Sequence, residues 1–161
     1  SRLVTVAIPH PASIKPTLGL LWAARHFALL KLPGAVGRFR KNDFAMTDEL
    51  CKRWSPTWKF GPEDMEAIKN AFAAPGCLDA TLGYYRAAPV VIPKWLRKIE
   101  VPTVSFAGAD DPALTPADYE RARRWFTSDY AVVTLPGGHF LHLEVPELFV
   151  PALVEAVRGQ A

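Results

Sequence analysis

Val101-Pro102-Thr103-Val104-Ser105-Phe106-Ala107-Gly108-Ala109-Asp110-Asp111-Pro112 and Leu135-Pro136-Gly137-Gly138-His139-Phe140-Leu141-His142-Leu143-Glu144 are the two segments that decide the fold. In each, a run rich in apolar and β-branched residues stops at glycine, and a carboxylate or an imidazole follows at once. Thr103–Ala107 reads as a strand after Pro102. Tyr130–Leu135 reads as another, ended by Pro136-Gly137-Gly138. Runs that are apolar on both faces suit a parallel sheet covered by helices on both sides.

The stretches around them complete that pattern. Between the two strands Thr115 can cap a helix. Pro116 fits its first position and Asp118 can bond back toward the cap, so a helix is expected to about Phe126. After the second strand, Pro146-Glu147 opens a closing helix with Leu148, Phe149, Ala152, Leu153, Ala156 and Val157 at helical spacing. Strand–helix–strand–helix is the grammar of a doubly wound α/β sheet. Near the start, Leu3–Ile8 reads as a third buried strand ended by Pro9 and Pro11. Residues 13–93 contain no convincing strand. Helices are predicted over Thr17–Leu32, Thr47–Trp54, Pro62–Ala74 and Leu78–Arg86, with Pro33-Gly34 and Pro75-Gly76 as stops. Pro89 and Pro93 mark the return to the sheet. The expected organisation is a core strand in 1–12, a helical lid in 13–93 and the rest of the core in 94–161.

Chemistry gathers at the carboxyl ends of strands in open α/β sheets. Two acids, Asp110 and Asp111, follow one strand. His139 follows the next, presented by a Gly-Gly pair that lets the backbone turn sharply. A carboxylate bonded to one ring nitrogen fixes the tautomer and steadies the imidazolium, while the other nitrogen acts as base. Taken alone, the acids also read as a turn before a helix, and His139 as a surface residue. A metal held by His139, His142 and Asp110 or Asp111 is the competing chemistry. Two imidazoles and no cysteine support it, and a turn followed by a helix explains the same spacing.

These two motifs resemble the α/β-hydrolase fold family, most closely its epoxide hydrolase-like branch with a helical cap. The resemblance spans essentially the whole chain. It implies an α/β fold made of the last three parallel strands of an α/β-hydrolase sheet, with an inserted all-helical cap. The triad acid falls on Asp111, the last residue of a Gly-x-x-Asp turn. The triad base falls on His139, in Gly-His-Phe ahead of Glu144-Val145-Pro146. Leu82-Gly83-Tyr84-Tyr85-Arg86-Ala87 resembles the late-cap segment whose tyrosine holds the epoxide oxygen, which puts that role on Tyr85. Leu29-Leu30-Lys31-Leu32-Pro33 resembles the segment after the second oxygen-holding residue, whose position falls near His26. The chain departs from the family in one respect. It contains no Gly-x-Ser-x-Gly or Gly-x-Asp-x-Gly nucleophile elbow, so the elbow is expected to precede Ser1 in a longer polypeptide or to come from another chain.

The implied activity is hydrolysis of a small apolar epoxide by an Asp nucleophile, or of an ester by a Ser nucleophile, with no metal or organic cofactor. Haloalkane dehalogenation fits less well, because Trp22, Trp54, Trp58 and Trp95 cannot be assigned to a halide site. A different class of reading is a non-catalytic, hydrolase-like module that binds a partner through the open edge of its first strand.

Composition bounds these readings. The chain has 161 residues, half of them hydrophobic and 22% charged, which is the balance of a globular domain. Residues 13–98 carry fourteen Lys/Arg against seven Asp/Glu. Residues 99–161 carry four against nine. The basic segment admits nucleic acid as a partner, but no aromatic stacking motif supports one, and a solvated face is expected instead. No apolar run approaches the ~20 residues that span a bilayer, and no signal-peptide pattern opens the chain. Cys51 and Cys77 form no CxxC and read as packed thiols in a reducing compartment, so the expected location is the cytoplasm, with neither membrane nor nucleic acid as partner.

Overall fold

The structure, a computed structural model, describes residues 1–87 and 96–159, except for the side chain of Ala23. The chain order is β1 (Leu3–Val6), α1 (Leu18–Ala23), α2 (Arg25–Lys31), α3 (Ala35–Trp54), α4 (Pro62–Ala73), α5 (Cys77–Ala87), β2 (Thr103–Gly108), α6 (Pro116–Ala122), β3 (Tyr130–Leu135), α7 (Leu141–Glu144) and α8 (Pro146–Arg158). Pro89, Pro93 and Trp95, and with them the expected boundary at 93/94, lie outside the described residues.

The three strands form one parallel sheet in the order β1-β2-β3. Every residue of central β2 is buried. One face packs Val104 and Phe106 against Leu141, Phe149 and Ala156 of α7 and α8. The other sets Ala107 against Leu114 and Tyr119, the latter in α6. Cover on both faces is why the strands read as continuous apolar runs rather than alternating ones. Asp118 closes the start of α6, its Oδ2 accepting from the Thr115 N–H at 2.9 Å and the Thr115 hydroxyl at 2.8 Å.

The register places the chemistry. Thr103 pairs with Tyr130 and Gly108 with Leu135, so β2 and β3 end side by side. The loops bearing Asp111 and His139 therefore leave the same edge of the sheet together.

The helices between β1 and β2 have a core of their own, made by Leu30, Ala35, Phe39, Leu78 and Leu82. Four element boundaries differ from the sequence reading by more than one residue. The first strand ends at Val6 rather than Ile8, because Ala7 leaves extended geometry with a φ of 53°. The helix expected over Thr17–Leu32 is two, because Ala24 leaves helical geometry between α1 and α2. α3 begins at Ala35 rather than Thr47. It breaks at Lys41 and passes through left-handed conformations at Asn42, Asp43 and Phe44. Asn and Asp tolerate that region, and Phe44 keeps its side chain against Phe72, with ring centroids 6.4 Å apart. The break interrupts the 3.6-residue period, so a sequence window sees only the half after it. Finally, α6 stops at Ala122 and a single tight turn, Arg123–Trp125, completes the stretch expected to reach Phe126.

Candidate active site

The Asp111 carboxylate has a separate task for each oxygen. Its Oδ1 accepts from the backbone N–H groups of Ala113 (2.8 Å) and Leu114 (3.1 Å), which fixes the turn after β2. Its Oδ2 faces Nδ1 of His139 at 2.8 Å. The Asp111 side chain is fully buried, whereas that of His139 keeps 21% of its surface exposed. With the proton on Nδ1 held toward a carboxylate, the lone pair of the ring resides on Nε2. Asp110 does something else. It is exposed, its N–H donates to the Gly137 carbonyl at 2.9 Å, and its Oδ2 accepts from the Gly137 N–H at 3.2 Å. It laces the two loops together, and Asp111 alone of the two acids meets the imidazole.

The backbone around His139 is gripped from the helical insert. The His139 N–H donates to the Trp54 carbonyl at 2.9 Å, and the Phe140 N–H to the Ser55 hydroxyl oxygen at 2.9 Å. The Gly138 N–H donates to Oε2 of Glu144 at 2.7 Å, and the Thr57 hydroxyl donates to Oε1 of the same carboxylate. This grip explains one glycine. A Cβ on Gly138 would lie 2.5 Å from both the Trp54 carbonyl oxygen and the Ser55 Cα. Gly137 is needed for a different reason, its positive φ of 116°.

The two residues of the insert singled out by resemblance come together. His26 of α2 is 2% exposed, and its ring meets Tyr85 of α5 edge to face at 5.8 Å. His26 also meets Trp54 at 4.6 Å, and Trp54 meets His139 at 4.7 Å. An aromatic chain thus runs from Tyr85 through His26 and Trp54 to the imidazole. Burial, and secondarily Tyr84, raises the Tyr85 pKa, so its phenol remains a donor at neutral pH. Its neighbour Tyr84 points outward, 69% exposed.

Beside this chain lies a cavity of about 180 Å³, its walls almost wholly apolar, bounded among others by Leu30, Trp54, Phe72, Leu82, Tyr85 and Phe140. Among the described residues, no three His, Cys, Asp or Glu side chains come together as a metal site would need, and no helix is long and apolar enough to cross a membrane. Sequence reasoning missed Ser55, and it assigned no role to Trp54. Both lie some 85 residues from the loop they grip, and nothing local in the sequence reports such a contact. Glu144 stood in the motif without a task.

No family model matches the chain. AB hydrolase superfamily protein YfhM of Bacillus subtilis is 24% identical over 173 residues, covering 99% of this chain and 58% of that protein. A Klebsiella pneumoniae protein assigned as an epoxide hydrolase superposes with a TM-score of 0.75 at 25% identity, over 97% of this chain and 58% of that one. An epoxide hydrolase variant from Bacillus megaterium gives 0.76 at 15% identity, over 98% and 60%. The chain has the fold of the C-terminal part of an α/β-hydrolase with a helical cap. It spans somewhat under three fifths of the length of the curated relative it matches.

Proposed function

We propose that this chain supplies the acid, the base and the cap of an epoxide hydrolase-like enzyme, and that the nucleophile comes from polypeptide that this chain does not include. The single observation carrying the reading is the 2.8 Å bond between His139 Nδ1 and a buried Asp111 at the rim of a parallel sheet. The epoxide hydrolases among the similar structures support the choice of substrate class.

In this reading the nucleophile is a carboxylate. It attacks one epoxide carbon, the C–O bond breaks, and an ester to the enzyme forms with an alkoxide on the neighbouring carbon. Tyr85, with His26 beside it, donates a hydrogen bond to that oxygen as charge develops. His139 Nε2 then takes a proton from water, and the hydroxide adds to the ester carbonyl. Collapse expels the second oxygen of the product, which takes the proton held by the imidazolium. The oxygen freed on ring opening takes the proton that the newly formed carboxyl group gives up, so a vicinal diol leaves and the carboxylate and the neutral imidazole are restored. Asp111 stabilises the imidazolium while it lasts. Residues 1–12 and 94–161 are the core portion in this scheme and 13–93 the cap.

The test uses the full-length polypeptide in which an elbow is proposed to precede this chain. His139→Ala is expected to leave the first step intact and to block the second, so intact-mass spectrometry should find the enzyme carrying one covalently bound substrate. An adduct on a serine, formed from an ester reporter, would redirect the reading to an esterase. Turnover of epoxide or ester by this chain alone, abolished by His139→Ala, would show that the nucleophile lies within it.

A further inference from the structure

We infer that the outer surface of α1 and α2 docks on an anionic lipid surface. This goes beyond the proposed chemistry and does not depend on it. It also sets aside the expectation that no membrane partners the chain. That expectation asked for an apolar run long enough to span a bilayer. No helix among the described residues is, but a helix that lies on the surface does not need to be.

The first observation is an apolar face with nothing packed on it. α1 is pinned by one side only. Leu20 packs against the cluster of Ala107, Leu114 and Tyr119. Leu18, Leu21 and Trp22, spaced i, i+3 and i+4, share the opposite face and are 87%, 61% and 67% exposed. α2 repeats the arrangement. His26 and Leu30 are buried, while Leu29, and Leu32 at the helix end, stand half-exposed. Arg25 joins the two helices. Its guanidinium lies 3.9 Å over the Trp22 ring, and its Nη1 donates to the Trp22 carbonyl at 2.7 Å. Arg25 and Leu29, four residues apart, share a side of α2. Scattered exposed leucines are ordinary on a protein surface, but a joined set of them marks a place of contact.

The second observation is charge, and it decides the occupant. Residues 13–42 carry six Lys/Arg and no Asp or Glu. Arg38 stands beside the leucines of α2, its Nη2 donating to the carbonyls of Leu29 at 3.0 Å and Leu32 at 3.3 Å. Among the described residues, neither Arg25 nor Arg38 forms an ion pair. Leucines and a tryptophan bordered by charge of one sign match a bilayer that is anionic at its headgroups and apolar just beneath them. Tryptophan, apolar in body with one polar N–H, belongs at that boundary. A second copy of the chain fits worse. A two-fold contact brings the same patch from both sides, so Arg25 and Arg38 would face their own kind, and like charges across an interface cost affinity.

The experiment mixes the full-length protein with vesicles of phosphatidylcholine alone, and of phosphatidylcholine with an equal part of phosphatidylglycerol, and follows co-sedimentation. The mixed vesicles should bind it about tenfold or more tightly than the neutral ones, since each basic group near an anionic surface adds about fivefold. Raising the salt to about 0.5 M should release most of it. Leu18→Ser with Leu21→Ser changes two exposed side chains, so the fold should survive while binding falls about tenfold or more. Brominated lipid should quench tryptophan emission in the parent and spare it in Trp22→Phe. Equal binding to both vesicles, binding that ignores the paired serine substitution, or quenching that persists in Trp22→Phe overturns the inference. So does the absence of vesicle binding. In that case a dimer in sedimentation that the serine pair splits assigns the face to a second copy, and a monomer assigns it to the rest of the polypeptide.

Discussion

Gly108 and Gly138 lie in such close contact that a Cβ on Gly108 would sit 2.1 Å from the Gly138 carbonyl oxygen and 2.6 Å from that of Gly137. Two backbones, the end of β2 and the loop that presents His139, meet there with no room for a methyl group. The obstacle is main chain, which cannot rotate away as a side chain would. Gly108→Ala should therefore cost at least about 3 kcal/mol, the upper part of the range for overpacking, and should separate Asp111 from His139. Urea denaturation measures the first effect, and the imidazole proton signal in NMR the second. A variant as stable as the parent would show that the two loops have slack.

Asp111→Asn isolates the chemistry from the fold. The Asn side-chain oxygen can still accept from the N–H groups of Ala113 and Leu114, so the turn should survive and stability should fall by about 1 kcal/mol. The amide nitrogen then faces Nδ1 of His139 in place of Oδ2. Two donors cannot bond, so the imidazole must move its proton to Nε2 and loses its lone pair there. In the full-length enzyme the hydrolytic step should slow by about 10³–10⁴-fold. Nitrogen-15 NMR of the imidazole reports the tautomer directly. An unchanged tautomer would remove Asp111 from the role of orienting residue.

Ser55 and Glu144 form the grip on the histidine loop from either side. Ser55 is fully buried, and its hydroxyl oxygen satisfies the Phe140 N–H. Ser55→Ala leaves that donor buried without a partner, at a cost of about 1–3 kcal/mol. Glu144→Gln keeps an acceptor for the Gly138 N–H and should cost less than Glu144→Ala, which removes the acceptor for both Gly138 and Thr57. Thermal unfolding should order the variants with Glu144→Gln nearest the parent. Equal losses for Gln and Ala would mean that the carboxylate fills space rather than accepting hydrogen bonds.

How far the sequence foretells this arrangement depends on distance along the chain. The three parallel strands, the capped start of α6 and the α8 helix follow from local signals, namely β-branched runs ending at glycine, and Pro with acids at a helix start. The meeting of Asp111 and His139 follows from two strands ending together, and strand runs reveal that much. The Trp54–Ser55 grip has no such source. It joins the end of α3 to a loop some 85 residues away, and a tryptophan and a serine at a helix end look like packing and a cap. The break in α3 was hidden for the opposite reason. Three consecutive left-handed residues at 42–44 include a phenylalanine, a type that gives no hint of a turn. Its packing against Phe72 and the core of the helical insert accounts for its place.

Cys51 makes the stability of the fold depend on alkaline pH. The thiol is buried beside Asp48, and burial first, then that charge, raises its pKa from 9.0 to about 11. The folded state therefore holds the proton more tightly than the unfolded chain does. Its contribution to stability is complete below pH 9 and is lost as the pH climbs through about 11, because the unfolded chain sheds the proton first. Two units correspond to about 1–2 kcal/mol once partial solvent screening is allowed for. Tyr85 and Tyr130 are also raised by burial and add to the decline at higher pH, but they do so equally in a Cys51→Ala variant. Urea midpoints taken between pH 8 and 11 should fall more steeply for the parent than for Cys51→Ala. The same buried, protonated thiol should react slowly with iodoacetamide at pH 8 while the fold is intact, and rapidly once urea opens it. Parallel midpoint curves for the two proteins, or fast alkylation of Cys51 in the folded state, would show that the thiol reaches solvent and that the cavity wall it helps to form is open.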